Sequence, residues 1–108
     1  MKGTRTMKLE YAEIIEIVSK SLSKFIKIND ISPEVHAQVL RLSNKTALTN
    51  IVKENFSFND NVDKYVLLNE FINNIERLIS SHATMSDYES DLLRDIIENS
   101  FNDVTRDL

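Results

Sequence analysis

The segment from Val62 to Ile79 constrains the chain most. Tyr65, Leu68, Phe71, Ile72, Ile75, Leu78 and Ile79 recur at three- and four-residue spacing, and Val66 and Leu67 widen the apolar face they form. A helix apolar over so much of its circumference needs neighbours on two or three sides. The segment therefore reads as the central and most buried helix, with the other helices laid around it. Lys64, Asn69, Glu70, Asn73, Asn74 and Glu76 mark its exposed strip. Asp60 is the expected N-cap, and Asp63 adds negative charge to the first turn. One Gly and one Pro in 108 residues leave little turn chemistry for a sheet, so the fold class is all-α.

The flanking segments follow the same period. Residues 1–7 read as a flexible N-terminal extension, with Met7 a second candidate start, and residues 8–108 as a single helical-bundle domain. A first helix is expected from Lys8 to Lys27, its buried face made by Tyr11, Ile14, Ile15, Val18, Leu22, Phe25 and Ile26. Its acids come early and its lysines late, as the helix dipole favours; an anion-binding patch is the alternative reading of those lysines. Ser32-Pro33-Glu34 is a helix start: a cap, a Pro at the first helical position, then an acid. Val35, Val39, Leu40 and Leu42 form the next face. The period slips at Ser43-Asn44-Lys45 and resumes with Ala47, Leu48, Ile51 and Val52. The second helix is thus either kinked there or split in two, with Ser43 capping the second piece. Phe56 and Phe58 are expected to staple the following polar linker onto the core. Ser86-Asp87-Tyr88-Glu89 is a capping box, and Tyr88, Leu92, Leu93, Ile96, Ile97, Phe101, Val104 and Leu108 carry the last helix to the chain end. The expected architecture is an antiparallel bundle of four main helices.

Composition narrows the function classes. The absence of cysteine removes disulfides and thiol chemistry. No apolar run approaches a transmembrane segment and no hydrophobic signal peptide opens the chain, so a soluble cytoplasmic protein is expected. The net charge of −4 argues against a nucleic-acid partner. Its distribution is uneven: residues 60–108 carry four Lys/Arg against eleven Asp/Glu. On the last helix Asp87, Asp91 and Asp95 stack at four-residue spacing with Glu98 one turn on and Arg94 among them. Like charges so placed repel by a few tenths of a kcal/mol per pair. Such a face is either a solvated helix surface or the contact for a partner with a basic surface.

Other constellations point elsewhere. Arg77 and His82 have the Arg-x-x-x-x-His spacing that resembles the higher-eukaryote-and-prokaryote nucleotide-binding family of helical RNases, though Leu78 follows the Arg where that family has a polar residue. The resemblance implies an Arg and a His meeting at a scissile phosphate in a dimer. A helical DNA-binding regulator using residues 32–56 is a further alternative, but the segment lacks a tight turn and a basic face. His36 has no second ligand at suitable spacing, and no zinc pattern, phosphate-cradling loop or nucleophile elbow is present. No metal and no cofactor are expected.

Leu67-Leu68-Asn69-Glu70-Phe71-Ile72-Asn73, a short turn, and Asp87-Tyr88-Glu89-Ser90-Asp91-Leu92-Leu93-Arg94-Asp95 resemble the third helix and the start of the fourth in the enterocin A-type bacteriocin immunity proteins. The resemblance spans roughly residues 62–97. It implies an antiparallel four-helix bundle in the cytoplasm that protects a producer cell by engaging the membrane receptor complex the bacteriocin attacks. The expectation from residues and resemblance together is a small non-enzymatic protein-binding module, an immunity or inhibitor protein. Its contact would be Asp87, Asp91, Arg94, Asp95 and Glu98, and the same helix could also serve a homodimer.

Overall fold

The computed structural model describes residues 6–56 and 62–106. Among the described residues there are five helices: α1 (Tyr11–Ile26), α2 (Pro33–Leu42), α3 (Lys45–Asn55), α4 (Lys64–Ser80) and α5 (Asp87–Thr105). Two short strands, β1 (Thr6–Met7) and β2 (Val62–Asp63), pair antiparallel, with Thr6 opposite Asp63 and Met7 opposite Val62. Residues 6 and 7, placed in the flexible extension by sequence, thus tie the approach to α1 against the approach to α4. Phe58, Asp60 and Leu108 lie outside the described residues.

Each helix starts where a side chain can satisfy its free amides. The Glu10 N–H donates to Glu13 Oε1 at 2.7 Å before α1. Ser32 Oγ accepts from the Val35 N–H at the start of α2, with Pro33 next in line. Asp63 caps α4, accepting from the Tyr65 N–H at 2.7 Å.

The second helix is split. Ser43 closes α2, its N–H donating to the Val39 and Leu40 carbonyls and its Oγ to Val39 O. Asn44 then turns extended, and its Oδ1 accepts from the Thr46 and Ala47 amides. Asn44 is therefore the cap expected of Ser43. An amide oxygen at the extended position reaches forward to two amides; the Ser43 hydroxyl, still in helical backbone, reaches only back.

The expected centre also moves. α1 packs against α5 in the most extensive contact of the fold and also against α2 and α3, whereas α4 packs chiefly on α5 and α2. α1 buries Ile14, Ile17, Val18, Leu22 and Phe25, with Ser21 among them. Ile17, absent from the expected face, is wholly enclosed, while Tyr11 is 45% exposed. Ser21 enters the core because its hydroxyl donates to Ile17 O at 2.7 Å. α4 buries Leu67, Leu68, Phe71, Ile72, Ile75 and Ile79, but its first turn leaves Tyr65 and Val66 exposed. Asn74, assigned to the exposed strip, is buried, and its Nδ2 donates to Asn55 O at the end of α3. Leu40 and Tyr88 are likewise exposed rather than on buried faces.

One apolar cluster runs from Leu9 to Phe101. Phe71 sits between Phe56 and Phe101, with ring centroids 5.0 and 5.6 Å away in tilted arrangements. Phe56 is the expected staple: it ends α3 and is buried against Phe71 of α4. Among the described residues no helix is long and apolar enough to cross a membrane.

Candidate functional site

α5 opens with the capping box read from the sequence. Ser86 Oγ accepts from the Glu89 N–H at 3.1 Å, and the Ser86 N–H returns a bond to Glu89 Oε1 at 2.8 Å. The other carboxylate oxygen does something that the local pattern does not contain. Glu89 Oε2 accepts from the Ser32 N–H at 2.6 Å, across 57 residues. Ser32 and Ser86 are the N-caps of α2 and α5, so one buried carboxylate joins two helix N-termini. Burial pushes the Glu89 carboxyl up, but its bonds from Ser86 and Ser32 outweigh that effect and hold it below the usual carboxylate range. Beside it the Tyr88 hydroxyl donates to Asp30 Oδ2 at 3.3 Å, and desolvation together with the Asp30 charge raises the phenol above its ordinary value.

This anchored first turn fixes the rotation of α5. Leu93, Ile97 and Phe101 face the core, so Asp87, Asp91, Asp95 and Glu98 all fall on the exposed side. Arg94, the cation interposed among them, turns toward α4 and pairs with Glu76 at 3.6 Å. Among the described residues no ion pair reaches Asp87, Asp91, Asp95 or Glu98; Asp103, further along the helix, takes Lys24 and Arg106. The exposed strip is a run of carboxylates whose interposed cation, Arg94, is engaged elsewhere. Among the described residues no group of three or more His, Asp or Glu side chains is gathered tightly enough to hold a metal ion.

The strip begins at the rim of an open groove of about 760 Å³. Its walls are the first turn of α2, the end of α4, the 81–86 loop and Glu89. Five of its ten lining residues are Ser or Thr, with Ala83 and Met85 adding apolar surface; Glu34 and Glu89 are its carboxylates, His82 is its imidazole, and neither Lys nor Arg contributes to it.

Both residues of the alternative catalytic pair lie at the C-terminal end of α4. His82 lines the groove, its Nδ1 2.9 Å from Ser81 Oγ and 3.5 Å from Gln38 Nε2. Arg77 is exposed on α4, and among the described residues no hydrogen bond links it to His82. Gln38 is the residue that sequence reasoning missed here. It is buried, donates to Leu78 O at 3.0 Å and accepts from Arg41, tying α2 to the end of α4. The signal was present: Gln38 stands between Val35 and Leu42 on the inward face of α2, where a polar residue needs a partner. His36 is half-buried on the same helix.

No protein-family model, curated protein or solved structure matches this chain.

Proposed function

We propose that the chain is a non-enzymatic protein-binding module, of the immunity or inhibitor kind, that uses the acidic face of α5 to hold a partner with a basic surface. The observation that carries this reading is the run Asp87, Asp91, Asp95 and Glu98, which no ion pair reaches among the described residues and from which Arg94 is withdrawn by Glu76. A helix face that keeps its repulsion, with its one interposed cation bonded outside it, retains its field for an external cation. The likeness of residues 62–97 to the enterocin A-type immunity proteins supports the same class. In that reading α2 and α3 together stand for the second helix of an antiparallel four-helix bundle, and the protein works in the cytoplasm.

The test is capture from a host lysate on the wild-type chain beside an Asp91→Lys, Asp95→Lys variant. A protein retained by the wild type and lost from the variant, in low salt, is the expected result. Equal capture by both would remove α5 as the contact.

A further inference from the structure

We propose that the groove between α2, α4 and α5 continues the acidic face of α5 and receives an extended, lysine- or arginine-bearing segment of the partner. This rests on the reading of α5 given above and adds the form of the ligand: a protruding basic segment, not a flat basic patch.

The sign of the groove follows from its walls. Two helix N-termini converge on it, those of α2 and α5, and each carries roughly half a positive charge. Taken alone they would invite an anion. Glu89 occupies that role already, its two oxygens bound to the Ser32 and Ser86 amides, so one carboxylate offsets both ends. What remains is the C-terminal end of α4 at Ser80, of opposite polarity, and the exposed Glu34 carboxylate. The lining adds hydroxyl oxygens from Ser80, Ser81 and Thr84, which accept from an ammonium or guanidinium as readily as water does. The groove therefore favours a cation.

Size and continuity decide the form of that cation. A volume of about 760 Å³ lies within the range of roughly 300–1,000 Å³ that encloses whole ligands. It exceeds what a lone side chain fills, and its open side can admit a length of chain. Asp87 follows groove-lining Ser86 directly, so a segment leaving the groove meets Asp87, Asp91 and Asp95 in succession.

The probe is a hexalysine peptide titrated into the full chain and followed by amide NMR shifts, with hexaglutamate as control. Shifts are expected at residues 32–34 and 80–86 together with 87–98, and Glu34→Lys should weaken binding by about tenfold. Because Glu34 also lies in the first turn of α2, Thr84→Lys in the exposed loop is the second variant, with the same expected loss. Thermal melts confirm that both variants fold. Shifts confined to 87–98, with affinity unchanged in both variants, would overturn the groove and leave the α5 reading standing. No shift anywhere, or equal binding of hexaglutamate, would also overturn it, and the Asp91→Lys, Asp95→Lys capture then decides the α5 face separately.

Discussion

Glu89 shows how much one side chain does in a small core. It closes its own helix and, through Ser32, the helix begun 57 residues earlier. Bonds to a charged acceptor contribute about 1.5–3 kcal/mol each, so Glu89→Ala should lower stability by at least about 2 kcal/mol in a denaturant titration. The sign of its pH dependence follows from its lowered pKa. A carboxylate that is more acidic when folded contributes fully above its ordinary value of 4.5, and that contribution disappears as pH falls through the lower folded value. The stability difference between wild type and Glu89→Gln should therefore shrink on acidification through that window. Ser100 is the opposite case. Its hydroxyl is wholly buried and has no hydrogen-bond partner among the described residues. Ser100→Ala removes an unsatisfied polar group and gains helix propensity, so it should stabilise by about 1 kcal/mol; a loss of stability would show that the hydroxyl is satisfied in solution. The capping role of Glu89 was legible from Ser86-Asp87-Tyr88-Glu89. Its reach to Ser32 was not, because no local spacing records a contact between distant turns.

At the scale of the element, the division of α2 from α3 is decided by two adjacent residues with similar local chemistry. Asn44 satisfies two amides of α3, whereas the Ser43 hydroxyl satisfies a carbonyl of α2. Asn44→Ala should cost about 1 kcal/mol and fray α3, read as faster amide exchange at Thr46 and Ala47. Equal exchange in that variant would mean that α3 is held by packing alone. Helix periods located the four expected helices within a few residues and left the second either kinked or split, since a repeat of three and four needs no knowledge of neighbours. They misplaced Tyr65, Val66, Leu40 and Tyr88, each apolar at a helical spacing yet exposed. A helical wheel records which residues share a side, but not where along its length the neighbour ends. Tyr65 and Val66 lie in the first turn of α4, where both are more than half exposed.

At the scale of the molecule, α1 rather than α4 is the hub, and the acidic strip owes its position to that packing. Because α5 lies along α1 over its most extensive contact, its carboxylates are turned outward and Lys24 meets Asp103 instead of the strip. The Asp91→Lys, Asp95→Lys variant should therefore melt at or slightly above the wild-type temperature, since like-charge neighbours at four-residue spacing are relieved. A melting point well below wild type would show that those carboxylates serve the fold, and would turn any loss of capture into a folding effect.

The all-α class, the helix positions, the capping box of α5 and the alignment of Asp87, Asp91, Asp95 and Glu98 were determined by sequence alone, because each rests on interactions within about one helical turn. Tertiary structure alone decided that α1 is central, that Asn74 and Gln38 are buried and bonded, that Arg94 leaves the strip for Glu76, and that two helix N-termini meet on Glu89 beside a groove. Those features depend on which helix ends converge, and that is set by how the apolar faces of several helices pack at once.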